Sequence, residues 1–190
     1  MSREMVPIET SFGFIRLWSA EDAPALLKYA DNRKIWINLR DVFPHPYTAE
    51  DARVFLGMAA KQDPTTIFAL ATSEEAIGSI GISPGRDVER LTGELGYWLA
   101  EPFWGRGIMT ETVAKFADFA FERFGLVRIF AEPYEYNPAS HRVLEKAGFL
   151  LEGRLRRSVI KDGRIADQRL YARTRVFPPR GTAGAQIGQP

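Results

Sequence analysis

Two glycines in a short segment mark a place where backbone amides could hold an anion. Gly105 and Gly107 lie between the strand-like segment Glu94–Ala100 and a long amphipathic segment that predicts a helix beginning near Gly107. The first amides of a helix lack partners within it and lie at the positive end of its dipole, so we expect a phosphate group here. The competing interpretation is that Gly107 is only a helix-start glycine and Arg106 only a solvated charge.

One carboxylate lies on the strand before this loop. Glu94 alternates with Gly96 and Trp98, so the three share one face of the predicted strand. A carboxylate there could take a proton from a nucleophile through water, as a general base. Glu94 could equally be an exposed strand residue or an ion-pair partner of Arg90 or Arg128, and the sequence leaves these alternatives open.

The two histidines of the chain are weaker candidates. His45 lies between Pro44 and Pro46, in a loop with a restricted backbone. With an ordinary pKa of about 6.5, His45 could act as a base at neutral pH. We favour the alternative that this loop shapes a pocket or packs on the following helix. His141 is expected to face solvent or a phosphate, without a chemical role.

Composition excludes several classes of function. The chain has 190 residues, no cysteine, two histidines and a formal net charge of +1, so thiolate chemistry, a histidine-rich metal site and bulk nucleic-acid binding are not expected. Neither a membrane span nor a signal peptide is recognisable, and we predict a cytoplasmic protein. Residues 1–176 are predicted to form one domain, followed by a disordered Gly- and Pro-rich tail over 177–190.

The pattern of elements predicts an α+β fold with a mixed central sheet. Helix caps are expected at Thr48 and at Asn137, and Asp162-Gly163 is a strong hairpin turn. Strands are predicted at 13–18, 66–71, 76–82, 94–100, 127–132, 149–160 and 164–176, and helices at 19–31, 32–39, 48–60, 107–124 and 137–148.

Three stretches resemble the GNAT superfamily of N-acetyltransferases, and within it the RimJ/RimL branch that acetylates ribosomal-protein N-termini. They are Glu94–Leu99, Phe103–Thr110, and Asn137–Ser140 with Val143–Phe149, and the order of elements is similar along residues 10–176. The resemblance implies a mostly antiparallel central sheet with helices on both faces. It also implies acetyl-coenzyme A as the acyl-donor cosubstrate.

The resemblance further implies roles for individual residues. The pantetheine arm would enter between the strands at 94–100 and 127–132, and Ser140 would protonate the departing thiolate or position a water that does. Structural roles alone, as a helix cap and a small first-turn residue, are the alternatives for Asn137 and Ser140. The expected cofactor-binding residues are Trp98, Leu99, Gly105, Arg106, Gly107, Ile108, Met109, Thr110 and Asn137.

The predicted function is transfer of acetyl from acetyl-coenzyme A to an amine by direct attack, without a covalent intermediate. The best candidate for the acceptor is the α-amine of a protein N-terminus, of the ribosomal-protein type. Val159 aligns where RimL-like enzymes carry an acidic residue, so a small-molecule amine stays an alternative. A non-catalytic sensor that binds coenzyme A is another. Neither a membrane nor nucleic acid is an expected partner, and a homodimer is a further possibility.

Overall fold

The computed structural model describes residues 7–176 as one mixed sheet flanked by helices. The strands are β1 Ile8–Thr10, β2 Gly13–Arg16, β3 Ile67–Ala71, β4 Ala76–Pro84, β5 Thr92–Leu99, β6 Arg128–Ala131, β7 Leu150–Lys161 and β8 Arg164–Thr174. The helices are α1 Ala23–Tyr29, α2 Arg33–Trp36, α3 Ala49–Ala59, α4 Ile108–Arg123 and α5 Pro138–Lys146, with short 3₁₀ turns at Ala20–Asp22, Asp87–Glu89 and Glu101–Phe103.

The strand order in the eight-stranded sheet is β1-β2-β3-β4-β5-β6-β8-β7. Neighbouring strands pair antiparallel except β5 and β6, which are parallel and are connected by α4. A parallel pair needs such a crossover connection, whereas antiparallel neighbours such as β7 and β8 can be joined by a hairpin. The predicted α+β class, with a mixed and mostly antiparallel sheet, is therefore confirmed.

The helices cover both faces of the sheet. Along β5, Leu95 and Leu99 are buried in the core cluster that contains the inner face of α4 and Leu144 of α5. Trp98 packs instead with the cluster formed around α1 and α3. Since successive side chains of a strand point to opposite faces, the two clusters lie on opposite sides of the sheet. We call them the α4 face and the α3 face.

Local signals account for several helix ends. Thr48 forms a capping box with Asp51 at the start of α3, an arrangement whose loss typically costs about 1 kcal/mol. The Asn137 side chain accepts a hydrogen bond from the Ser140 amide at 3.1 Å and caps α5. Gly125, just after the end of α4, has a φ of 64°, the left-handed conformation that glycine tolerates best.

The structure differs from the predicted elements in a few places. Strand β1 was not predicted, because a three-residue strand carries too short a pattern to recognise. The predicted helix at 32–39 is regular only over Arg33–Trp36. The predicted tail over 177–190 lies outside the described residues. Within residues 7–176, the apolar stretches of the helices are too short to span a bilayer.

Candidate active site

The loop before α4 leaves its amides free. Gly105 and Gly107 have φ values of 74° and 80°, and Gly107 is the N-cap of α4 without a side-chain cap. The first helical bond is donated by Glu111 to the Gly107 carbonyl. Within residues 7–176, the amides of residues 105–110 have no acceptor. A Cβ at either glycine would meet nothing within 4 Å, so the loop is an open cradle that fits a diphosphate.

Strands β5 and β6 separate beside this loop. Their pairing runs from Thr92 opposite Arg128 to Glu94 opposite Phe130 and stops there, although β5 continues to Leu99. The rest of β5 keeps its other edge on β4. Between the ends of the two strands lies a wedge-shaped gap, in which one edge of β5 lacks a neighbouring strand.

The register of β5 decides which amides face the gap. The Ala100 amide donates to Ile77 at 2.8 Å, and the pairs of an antiparallel ladder alternate, so Trp98 and its partner Ser79 also exchange hydrogen bonds. The backbone of Trp98 is thus turned toward β4. Tyr97 and Leu99 have their backbone groups in the gap instead. Of the two residues expected to contact the pantetheine arm through their backbone, Leu99 therefore has its amide toward the gap, while Trp98 has its backbone toward β4.

An indole fixes the end of this edge. Nε1 of Trp104 donates to the Leu99 carbonyl at 2.7 Å, so the carbonyl is occupied while the Leu99 amide stays available. An amide in this position could pair with a pantetheine amide or stabilise an oxyanion at the reacting carbonyl.

Ser140 and Tyr97 meet on the α4 face of the gap. Their hydroxyl oxygens lie 2.7 Å apart, and Ser140 is held at the start of α5 by the Asn137 cap. Burial raises the pKa of Tyr97, and this outweighs the opposing effect of the Ser140 hydrogen bond. Tyr97 therefore keeps its proton at neutral pH. The pair is a neutral hydroxyl relay that could donate a proton to a leaving thiolate.

Carboxylates lie on the opposite, α3 face of the gap. Glu94 forms an ion pair with Arg40, which replaces both expected partners, Arg90 and Arg128. Glu132, which follows the last residue of β6, lies close enough that the charge of Glu94 affects its ionisation. Burial, followed by this charge, raises the pKa of Glu132, while Arg40 opposes the shift. Sequence reasoning missed Glu132, since a glutamate at a strand end is common.

A loop over residues 37–41 closes the α3 face. The hydroxyls of Tyr136 and Tyr134 donate to the carbonyls of Ile37 and Leu39, at 2.8 and 3.2 Å. At the end of the loop Asp41 pairs with the buried ammonium of Lys161 at 2.7 Å. We call residues 37–41 the strap. Its position depends on groups from β7 and from the segment after β6.

Three cations line the same cavity as the amide cradle. Arg106 lies in the loop, with its guanidinium carbon 5.5 Å from the centre of the Phe103 ring, while Arg142 and Lys146 lie one turn apart on α5. Within residues 7–176, none of the three has an ion pair. Unpaired cations around free amides suit a ligand with several phosphates. Arg142 and Lys146 are four residues apart and therefore neighbours on the surface of α5, a spacing from which the sequence could have predicted a shared anion contact.

A single cavity of about 1410 Å³ joins these parts. It is lined by the cradle, the exposed edge of β5, the Tyr97–Ser140 pair, both carboxylates and the strap. The aromatic side chains near the cavity separate into two groups. Phe43, Trp98 and Trp104 line the cavity, whereas Tyr47 is buried in the core.

The histidines have structural roles. His141 is 5% exposed, donates from Nε2 to the Tyr134 carbonyl at 3.1 Å, and stacks on Tyr171. The expectation that it faces solvent or a phosphate was wrong. Leu144 lies three residues further along α5 and is fully buried. Residues at this spacing share one face of a helix, so the sequence could have indicated that His141 is buried too. His45 stacks on Trp36 outside the lining of the cavity.

The sequence match decides the family. A family model described as an acetyltransferase (GNAT) domain matches residues 14–150. The chain belongs to the GNAT acetyltransferase family. The predicted family and enzyme class are thereby confirmed, and the matched region contains the strand gap, the cradle and Ser140.

Relatives of the RimJ/RimL branch are among the GNAT proteins to which the chain is similar. The ribosomal-protein-serine acetyltransferase of Escherichia coli is 30% identical over 107 residues, which are 56% of this chain and 59% of that protein. YoaA of Bacillus subtilis, an uncharacterized N-acetyltransferase, is 34% identical over 108 residues, 57% of this chain and 59% of YoaA. The chain therefore spans less than two thirds of the length of either relative.

The fold has close structural neighbours. RimL, a ribosomal L7/L12 α-N-protein acetyltransferase solved in complex with coenzyme A, superposes with a TM-score of 0.78. The superposition covers 89% of this chain and 98% of RimL at 22% sequence identity. At that identity the likeness establishes the GNAT fold, with its helices on both faces of the sheet.

Proposed function

We propose that this chain transfers acetyl from acetyl-coenzyme A to an amine by direct attack of the nitrogen on the thioester. The observation that carries the proposal is the juxtaposition of the free amides of residues 105–110 with the gap between β5 and β6. The cradle suits a diphosphate, and the open edge at Tyr97 and Leu99 suits the amides of a pantetheine arm. A single acetyltransferase domain over residues 1–176 is part of the proposal.

The two faces of the gap divide the chemistry. On the α4 face, the Tyr97–Ser140 pair is placed to protonate the thiolate as it leaves. On the α3 face, the cavity wall contains Glu94, Glu132 and the strap, and the acceptor amine would approach there. Acetyl-coenzyme A supplies the activated acyl group, and the chain supplies binding, orientation and proton transfer. Direct attack needs no nucleophilic side chain, in keeping with the absence of cysteine.

The best candidate for the acceptor is a protein N-terminal α-amine, of the ribosomal-protein type. Two apolar side chains on the rim of the cavity, Val42 and Ile160, are 90% and 69% exposed. Such a rim suits the side chains of a peptide whose amine enters the gap. The similarity to proteins of the RimJ/RimL branch supports this acceptor. A cytoplasmic location stays a prediction from the sequence.

The experiment is release of free thiol from acetyl-coenzyme A with a panel of amines. The panel contains peptides with N-termini of ribosomal proteins, the same peptides with blocked N-termini, and small polyamines and amino sugars. Thiol release only with free N-termini supports the proposal. Release only with small amines assigns the alternative acceptor class. Tight binding of coenzyme A without thiol release for any amine would indicate a sensor.

A further inference from the structure

We propose that the acceptor is an N-terminus whose first residue has a large apolar side chain, such as leucine, methionine or phenylalanine. This side chain lies in a groove that crosses the sheet between Trp98 and Glu94, which we call the glycine groove. The inference rests on the function proposed above and names the class of N-terminus for that reaction. Alanine and serine are too small to fill the groove.

Two glycines form the floor of the glycine groove. Gly81 of β4 and Gly96 of β5 lie directly opposite each other in the antiparallel ladder. The nearest side chains of β5 on the same face are those of Trp98 and Glu94, two residues away in either direction. A Cβ at Gly96 would meet nothing within 4 Å, so the space above this residue is open. The α3 face of the sheet therefore lacks side chains across two neighbouring strands.

Ile67 of β3 closes the far end of the groove. It pairs with Gly81, and a Cβ at Gly81 would lie 3.2 Å from Cγ1 of Ile67. The glycine groove thus runs from the free edge of β5 across β4 and ends at β3, over about 10 Å, since neighbouring strands lie about 5 Å apart. Both glycines and Ile67 line the cavity that contains the reaction site. A large side chain that enters from the edge of β5 fits this length.

One wall of the groove is aromatic. The ring centres of Trp98 and Phe43 lie 6.0 Å apart, and Phe55 of α3 lines the cavity with them. All three rings pack against the buried cluster on the α3 face and are only partly buried themselves. Such a wall offers apolar surface that a side chain of the acceptor can cover, and burying that surface favours binding.

The polar groups beside the groove already have partners within the chain. The Ser79 hydroxyl donates to a backbone carbonyl of β3 at 3.1 Å. Oε1 of Gln62 accepts from the amide and the hydroxyl of Thr66 at 3.2 and 3.3 Å. On the opposite wall, Glu94 is engaged by Arg40. A polar side chain would lose its hydration beside groups that are already paired, whereas an apolar side chain loses nothing of this kind.

The groove opens at the reaction site. Gly96 precedes Tyr97, whose hydroxyl lies 2.7 Å from that of Ser140 on the α4 face. Like Trp98, Gly96 has its backbone turned toward β4, so a side chain introduced there would point to the α3 face and leave the edge of β5 free. An amine in the gap is therefore next to the mouth of the glycine groove, and the side chain of the same residue can enter it.

The test is kcat/KM for thiol release with peptides that differ only in their first residue, which is leucine, methionine, phenylalanine, alanine or serine. One methylene in an apolar pocket typically changes kcat/KM by about 10- to 200-fold, so the wild-type chain should favour leucine over alanine at least about tenfold. Gly96→Val places a side chain on the floor of the groove and should lower this ratio about tenfold or more.

Two further variants make the test specific to the groove. Ile67→Ala lengthens the glycine groove and should raise the ratio of kcat/KM for phenylalanine over leucine, a gain that general damage to the fold would not produce. Gly153→Val is the matched control, because Gly153 lies on β7 outside the cavity lining and a Cβ there would also meet nothing within 4 Å. It should leave both ratios unchanged.

Several results would overturn the inference. An equal or higher kcat/KM with alanine or serine at the first position does so and leaves the proposed acetyl transfer standing, as does thiol release with small amines only. A wild-type ratio in folded Gly96→Val also contradicts it. If Gly96→Val does not fold, Gly96→Ala replaces it and should lower the same ratio; no change would refute the groove. Absence of thiol release by the wild-type chain with every amine is a separate result, which refutes the proposed function and the inference with it.

Discussion

Replacing Gly107 with alanine tests the amide cradle at its most constrained residue. Its φ of 80° lies in the left-handed region, which costs a residue with a Cβ about 1–2 kcal/mol. A Cβ at this position would meet nothing within 4 Å, so the cost is backbone strain and not a clash. The free protein can relieve this strain by moving the loop, and a bound diphosphate must then restore the cradle. The full strain corresponds to about 5- to 30-fold weaker binding of coenzyme A.

Two other glycines provide matched controls. Gly125 has a φ of 64° at the opposite end of α4, and a Cβ added there would again meet no atom within 4 Å. Gly125→Ala should therefore cost similar stability without changing coenzyme A affinity. Gly57→Ala, within α3 and equally unhindered, should be neutral or stabilising because alanine is the better helix former.

The assay is isothermal titration of each variant with coenzyme A, together with thermal unfolding without ligand. The expected result is a loss of affinity in Gly107→Ala that Gly125→Ala does not share, even where both lose stability. Equal affinities of the two variants would refute the assignment of the cradle to the diphosphate.

Three further predictions concern the rest of the site. Ser140→Ala should lower kcat by about 10²-fold, the low end for acid–base assistance, with little change in the Kd of coenzyme A. Tyr97→Phe should show a smaller loss of kcat. If both variants keep the wild-type kcat, the Tyr97–Ser140 pair has only a structural role. Arg142→Ala and Lys146→Ala should each raise the KM for acetyl-coenzyme A by about two- to fivefold, as expected for exposed charges, and an effect that does not shrink with added salt would argue against phosphate contacts. Tyr136→Phe removes one hydrogen bond to the strap and should raise the KM for the acceptor while sparing coenzyme A binding; calorimetry should detect a destabilisation of about 1 kcal/mol.

The fold was predictable where short segments determine their own conformation. Asn137-Pro138 begins α5 as expected, and Asp162 and Gly163 both adopt positive φ in the β7–β8 turn. The glycines of the cradle were recognised because a strand, a loop and a helix follow one another within a few residues. Such signals are local, so they can be recognised without knowledge of the tertiary structure.

The parts that were missed depend on contacts between distant segments. The Glu94–Arg40 pair joins residues 54 apart in sequence, and the Tyr97–Ser140 contact joins residues 43 apart. The sequence does not indicate that Arg40 pairs with Glu94 or that Tyr97 contacts Ser140, because arginine and tyrosine are common in any globular chain. Glu132 acquires its raised pKa only through burial beside Glu94, and both conditions arise when β5 and β6 pair and then separate.

The register of β5 could not be predicted from the sequence either. The sequence indicated an exposed strand edge near Trp98 and Leu99, but which amides face the gap depends on the pairing with β4. A shift of one residue exchanges the two edges of a strand, and no periodicity in the sequence fixes that shift. In the structure the amides of Tyr97 and Leu99 face the gap.

A titration of the ¹⁵N-labelled chain with coenzyme A, followed through its backbone amide resonances, tests whether the cradle and the open edge of β5 hold the cofactor. We predict that the largest shifts occur at the amides of residues 105–110 and at Tyr97 and Leu99, with smaller shifts on the α3 face. Saturable binding that leaves those amides unchanged while others shift would contradict it.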